Sequence, residues 1–361
     1  MSESLQTTDV TWSNTQYPTV PTVTDSPFIK LQKDYRKLHG YISCIVCIFG
    51  LSSNIINMIV LTRKHMIKPV NFILTALAGA DFLTMLTYLV YAAYFYIAKE
   101  PIWQANHTYA WMCFIMIHNH FIIICHNMSL WFTVYLAVLR YKFVCNNTFG
   151  YREYSLKRTI ITVTIISNVI LVLCIPNFFM YKVIALSDIV DPNVSGYWIV
   201  DSDFVKKHIF YKVSIFWFFG VVMKILPCIL LTFFICRIIH TMYRSEKQRE
   251  QLQEQARLST HGRHRDNIRT TRMLIAVVLI CVLTEMPQGI FALISCLDDR
   301  FFEDIYSNIG DILDLLVLFN SSVNFILYCS MSRQYRDTFR KLFSFRTAHC
   351  HNQLRQINHT R

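Results

Sequence analysis

Residues 320–336 read NSSVNFILYCSMSRQYR. The first part is an apolar helix end that carries two asparagines, Asn320 and Asn324, and a tyrosine, Tyr328, and a basic stretch follows at once. The rest of the chain decides whether such a helix sits in a soluble core or in a bilayer. Of the 361 residues 53% are hydrophobic, and the mean hydropathy of +0.34 is high for a soluble domain. A bilayer core of about 30 Å requires roughly 20 apolar residues per helical span. Seven stretches meet that length with few or no charges: 41–62, 72–98, 111–138, 156–180, 209–240, 272–296 and 309–329. The chain therefore reads as an all-α membrane protein, a seven-transmembrane helix bundle.

The net charge of +12 would point to nucleic acid in a soluble protein, but here the bases gather in alternate loops. Arg63, Lys64 and Lys68 follow the first span, Arg140, Lys142, Arg152, Lys157 and Arg158 follow the third, and a third basic set runs from Arg244 to Arg272. The positive-inside rule puts these loops in the cytoplasm, the N-terminus outside and the C-terminal tail inside, with no nucleic-acid partner. Acids gather on the other side, Asp188, Asp191, Asp201 and Asp203 before the fifth span and Asp298, Asp299, Glu303 and Asp304 before the seventh. They are either ordinary solvated loop charge or an outer face that draws a cationic ligand.

Residues 1–40 read as a disordered extracellular N-terminus without the apolar core of a signal peptide, 41–345 as the seven-span domain, and 346–361 as a cytoplasmic tail. Within 333–345, Tyr335, Phe339, Leu342 and Phe343 share one face and Arg336, Arg340 and Lys341 the other, a short amphipathic eighth helix lying on membrane lipid. Asn106 and Asn193 are glycosylation candidates in outer loops, and Cys350 is a lipidation candidate. Most of the 12 cysteines fall inside spans, where a thiol acts as a small hydrophobe.

A carboxylate near mid-membrane is costly and faces the bundle interior or a water-filled cavity. Asp81, in LAGAD of the second span, is the clearest. It follows Asn71, Leu74, Leu77 and Ala78, and this NxxLxxLA run, with Asn54, Ser129, Asn320 and Asn324 on other spans, resembles the polar centre of rhodopsin-like G-protein-coupled receptors. The likeness covers all seven spans. It implies a plasma-membrane receptor that couples an outside ligand to a heterotrimeric G protein, and no enzyme. It also implies a sodium ion at Asp81, Ser129, Asn320 and Asn324, allosteric rather than a required cofactor. Such an oxygen-rich cage suits either a small hard cation or a packing network with ordered water. Arg140 and Tyr141, in LAVLRY, resemble the residues that meet the G protein; Asn324 and Tyr328 match the inner end of the seventh helix; and Pro287, in CVLTEMPQG, matches the kink proline about which the sixth helix pivots.

The chain also departs from that pattern. Leu139 stands where an acid usually pairs with Arg140, Asn267 where the sixth helix usually supplies one, Phe325 where the seventh has proline and Ile235 where the fifth has tyrosine. No cysteine lies between Cys174 and Cys228, so Cys113 lacks the family's disulfide partner; Cys296 is the remaining option, and a free Cys113 is expected. Glu285 replaces the usual tryptophan of the sixth helix. A buried glutamate needs a partner; Lys224, in KILPC, can supply one, and His126 lies at comparable depth. Either the three form a polar cluster that couples ligand arrival to the pivot at Pro287, or Lys224 snorkels and Glu285 is protonated.

Together LRY, KxxPC, TExPQG and NFILYCSMS resemble the myosuppressin and FMRFamide-type neuropeptide receptors. That implies a short amidated peptide ending in Arg-Phe-amide. A peptide arginine needs a carboxylate and a phenylalanine needs aromatic walls. Asp314 is the first candidate for the arginine, with Asp311 beside it and Glu285 and His126 deeper; Tyr88, Tyr91, Tyr94 and Phe95, with Trp103, are aromatic candidates, in part facing lipid. The alternative within the same fold is an orphan chemosensory or small-molecule receptor. Catalysis would need metal ligands from several helices, whereas His118, His120 and His126 share one. A transporter or channel would show repeats, broken helices or rings of charge.

Overall fold

The computed structural model describes residues 27–98, 107–145, 155–188, 195–255, 262–295 and 307–343. Within them seven helices are long and apolar enough to cross a membrane. α1 is Pro27–Leu61; α2 is Pro69–Ala92, continued by a π-turn at Ala93–Ala98; α3 is Tyr109–Cys145; α4 is Leu156–Cys174, tightened into a 3-10 stretch at Ile175–Phe179. α5 is composite, Ile209–Phe218, a π-helical segment Phe219–Ile225, then Leu226–Gln255. α6 is Gly262–Ser295, α7 is Ser307–Met331, and residues 333–343 form α8. Pro69 opens α2 and Pro176 opens the 3-10 stretch, positions where the missing N–H of proline has no partner to lose.

α1 packs on α2 and α7, α2 on α3, α6 on α5 and α7, and α4 on α2 and α3, so the ring closes around α3. The most apolar window of α3 is 56% buried and that of α4 22%, which makes α3 the central post and α4 an outer brace. Ile160, Ile161, Ile165, Val169 and Val172 of α4 are exposed. A hydrocarbon solvent accepts such side chains, because it satisfies no polar group and repels no apolar one.

Three elements differ from the sequence expectation. α1 starts at Pro27, inside the stretch expected to be disordered, because Arg36 and His39 find partners on α7 and α2, with Tyr35 bonded to His39, and extend the helix beyond its apolar part. A β-hairpin follows α4: β1, Tyr181–Ala185, pairs antiparallel with β2, Tyr197–Asp201, with Tyr181 opposite Asp201 and Val183 opposite Ile199. Five-residue strands half-buried on both faces carry no alternation for a pattern search to find. At the other end Phe325 packs its ring 6.3 Å from Tyr335 and 5.9 Å from Phe339 of α8. Tyr335 is buried and its hydroxyl donates to Asn57 Oδ1 at 2.7 Å, while His65 and Thr338 share a 2.8 Å hydrogen bond. The aromatic ring that replaces the family proline is thus part of the joint between α7 and α8.

Gly40 lets α1 close on α2, since a Cβ there would fall 2.4 Å from Tyr96 Cβ; Gly79, in α2, has nothing within 4 Å. Gly40→Ala overpacks that contact and is expected to destabilise by about 1–3 kcal/mol. Gly79→Ala removes a helix-interior glycine and should stabilise by about 0.5–1 kcal/mol. Thermal unfolding of detergent-solubilised protein should therefore move down for the first variant and level or up for the second.

Candidate functional site

A cavity of about 450 Å³ lies among α2, α3, α5, α6, α7 and the hairpin. Its walls differ in chemistry. Thr84, Tyr88, Tyr91 and Asp314 make a polar, acidic side; Tyr181, Ile199, Ile215, Phe216 and Phe219 make an apolar side; His126, Asn127, Lys224 and Gln288 supply polar groups on α3, α5 and α6.

Lys224 belongs to the π-helical segment of α5, just ahead of Pro227. A π-bulge inserts one residue into the turn and re-aims the side chains beside it. Gly289 of α6 allows the close approach: a Cβ there would lie 3.0 Å from Ile225 Cγ1 and 3.2 Å from Lys224 Cβ. Lys224 Nζ consequently donates to Glu285 Oε2 at 2.5 Å and to Gln288 Oε1 at 3.0 Å. His126 Nε2 donates to the same Glu285 oxygen at 2.9 Å. Gln288 is held in turn by donation from its Nε2 to the Leu313 carbonyl at 3.0 Å. Glu285 has no exposed surface, and Lys224 reaches inward to it instead of snorkelling. α3, α5 and α6 are therefore tied at one carboxylate, two residues before Pro287, which sits inside a continuous α6.

On the acidic wall, Asp314 borders the cavity and accepts from the Tyr88 hydroxyl at 3.4 Å. Asp311 does not line it: it accepts from the Tyr96 hydroxyl at 2.7 Å and pairs with Arg36 at 3.4 Å. Of the aromatic candidates, Tyr88 and Tyr91 line the cavity, Tyr91 stacked on His118 with centroids 4.8 Å apart. Tyr94 and Phe95 turn instead to Trp111, and Phe95 supports the hairpin through Val183 and Ile199.

A second chamber of about 10 Å³ is lined by Asp81, Ser129, Asn320 and Asn324, and by His126 and Glu285. Asp81 accepts from Ser129 Oγ at 2.8 Å and from Asn324 Nδ2 at 3.0 Å. Asn54 does not join them as expected; its Nδ2 donates to the Ser321 carbonyl at 3.1 Å. Glu285 Oε1 is buried and lacks a hydrogen-bond partner among the described residues. His126 thus lines both cavity and chamber, and Glu285, on the chamber wall, is bonded to it and to Lys224 of the cavity. At the far end Arg140 is half-buried beside buried Leu139, and no carboxylate pairs with it among the described residues. Tyr141 packs its ring 5.5 Å from Phe234, and Tyr328 is buried 5.8 Å from Tyr335.

The hairpin that borders the cavity is held without a disulfide in the described residues, and Cys113 is a free thiol. Its anchors are a backbone bond from Tyr197 N–H to the His107 carbonyl at 3.1 Å, the Lys212–Asp201 pair at 2.7 Å and the Lys182–Asp203 pair at 2.6 Å. Lys182 holds the Asp203 carboxyl below the usual range, and burial raises the Tyr181 phenol. Asn106, Asn193, Cys350, Cys296 and Trp103 lie outside the described residues, as does the side chain of Asn267. Sequence reasoning passed over Gln288 and Asn127, although each directly follows a residue it singled out, Pro287 and His126.

The family described as serpentine type seven-transmembrane G-protein-coupled chemoreceptor Srw matches residues 41–346. The chain belongs to this receptor family. It is similar to G-protein coupled receptor dmsr-1 of Caenorhabditis elegans, 31% identical over 358 aligned positions that cover 88% of this chain and 70% of the relative. The sex peptide receptor of Drosophila melanogaster is 26% identical, covering 85% of this chain and 72% of that receptor. The FMRFamide receptor of the same fly is 22% identical, covering 84% of this chain and 53% of that receptor. The resemblance to rhodopsin-like receptors, with relatives of the FMRFamide type, is thereby established, and so is a multi-pass membrane receptor. These relatives are signalling proteins rather than enzymes.

Lys224→Met leaves Glu285 buried without its cation, and breaking one side of a buried pair costs about 3–5 kcal/mol. Glu285→Gln strands Lys224 in the same way. Each single variant should lower thermal stability and shift basal signalling of the receptor, and the double variant should fall well short of the sum, with a coupling above about 1 kcal/mol. Additive losses would dissolve the cluster into unrelated contacts.

Proposed function

We propose that this receptor binds a short peptide ending in Arg-Phe-amide and, from the plasma membrane, activates a heterotrimeric G protein. The observation that carries the reading is Asp314, the carboxylate of α7 that borders the cavity while its neighbour Asp311 is engaged by Arg36 and Tyr96. A guanidinium meets Asp314 beside Tyr88 and Tyr91, and the phenylalanine ring meets Phe216 and Phe219 across the cavity. The relatives named for FMRFamide and sex peptide support a peptide ligand. The basic loops face the cytoplasm and the cavity faces outward. Arg140, Tyr141, Asn324 and Tyr328 then meet the G protein, and the Lys224–Glu285–His126 cluster passes ligand arrival to the pivot at Pro287. Glycans at Asn106 and Asn193 and a lipid at Cys350 complete this topology.

An allosteric sodium ion belongs to the same proposal. A chamber of about 10 Å³ holds one water-sized body. The oxygens of Asp81, Ser129, Asn320 and Asn324, with the unpaired Oε1 of Glu285, suit a small hard cation. A second reading, a small-molecule chemoreceptor, is favoured by the family description and by a cavity of about 450 Å³, the size of small-molecule pockets.

Cells expressing the chain with a promiscuous G-protein reporter should respond to amidated peptides ending in Arg-Phe and far less to their free acids. Removing a charge-assisted hydrogen bond costs about 1.5–3 kcal/mol, so Asp314→Asn should weaken the peptide about 10- to 150-fold. Silence across the peptide panel with response to small odorants would install the chemoreceptor reading instead. Sodium should lower agonist affinity in wild-type membranes, and Asp81→Asn should abolish that dependence.

A further inference from the structure

The N-terminal part of α1 reaches the acidic wall of the cavity through His39. His39 has no exposed surface, and Tyr88 is buried beside it. Three contacts join α1, α2 and α7 in a row: Tyr35 Oη to His39 Nδ1 at 3.2 Å, His39 Nε2 to Tyr88 Oη at 3.0 Å, and Tyr88 Oη to Asp314 Oδ2 at 3.4 Å. The row ends on the one carboxylate that lines the cavity among the described residues.

The direction of each proton follows from that end. An ionised carboxylate only accepts, so the single phenol proton of Tyr88 is committed to Asp314. Tyr88 Oη is then the acceptor toward His39, and Nε2 carries the proton. Ser43 Oγ, 3.3 Å from the same nitrogen, takes a weaker share of it. Nδ1 accepts from Tyr35 when the ring is neutral and donates to it when the ring is charged, and Nε2–H points at Tyr88 in either state. Hydrogen bonds that run one way polarise one another, so the positive ends of this row face Asp314. Asp311, three residues away on α7, does not share them, since Arg36 and the Tyr96 hydroxyl engage it. Asp314 is exposed, and its Oδ1 has no hydrogen bond among the described residues.

We propose that His39 is a positioning residue for a cationic ligand group: it holds the Tyr88 hydroxyl on Asp314 Oδ2, and the carboxylate thereby presents Oδ1 to the cation. His39 acts through Tyr88 and does not itself line the cavity. The proposal rests on the reading of Asp314 as the partner of a peptide arginine.

The full-length receptor is tested in cells with Phe-Met-Arg-Phe-amide and the analogue in which citrulline replaces arginine. Citrulline keeps the length and planarity of the side chain and removes its charge. Wild type should prefer the arginine peptide by about tenfold or more, and Asp314→Asn should abolish the preference. At equal surface expression, His39→Leu should cut it to about threefold or less by weakening the arginine peptide alone. His39→Gln, whose amide N–H can take the place of Nε2–H, should keep it. Tyr88→Phe, which retains the ring and removes the hydroxyl, should match His39→Leu, and joining the two should add little. A preference unchanged in both His39→Leu and Tyr88→Phe overturns the positioning role, and so does an equal loss for both peptides, which is what a packing defect gives. Either result leaves the ligand reading standing so long as Asp314→Asn abolishes the preference. A preference that survives Asp314→Asn, or a wild type that lacks it or is silent to both peptides, removes the ligand reading and this inference together.

Discussion

The structure is organised around a carboxylate that cannot ionise alone. Glu285 has no exposed surface and sits in the middle of an apolar span, where an unpaired charge costs several kcal/mol. Every nearby irregularity meets that demand. The π segment of α5 re-aims Lys224, Gly289 lets α5 and α6 touch, and Gln288 is steadied by the Leu313 carbonyl so that it can hold the ammonium from the other side. His126 adds α3. Removing any one of these leaves a charge or a donor stranded, so the three helices are locked in register by electrostatics rather than by shape alone.

The same cluster joins two compartments of opposite character, with His126 on the wall of both. Above it lies a cavity with an acidic wall and an apolar wall; beside it lies a chamber the size of one water, with Asp81 on its far side. Any cation in the chamber and any ligand group on Lys224 would compete for the electron density of one glutamate. Coupling between the sites would then need no long chain of side-chain movements, since His126 lines both and is hydrogen-bonded to Glu285.

The seven spans, the Asp81 centre and the Lys224–Glu285–His126 cluster were legible in the sequence. In a bilayer, polarity at a given depth is so restricted that each charged residue announces a partner. The hairpin was not legible, because Tyr181–Ala185 and Tyr197–Asp201 are short, half-buried on both faces and paired across a loop. The split between Asp311 and Asp314 was equally hidden. Both lie on one helix three residues apart, and what separates them is Arg36, on an extension of α1 that hydropathy does not report. Asn127 was overlooked because an asparagine becomes informative only when its own hydrogen bonds can be counted.

Phe325 carries a further consequence. With a proline at that place, the lower part of a seventh helix can bend while the segment after it stays still. Here α7 runs unbroken to Met331 and Phe325 packs against Tyr335 and Phe339, so α7 and α8 form one bent lever. A swing of α7 would then be passed to α8 through this aromatic joint, where a proline hinge would absorb it.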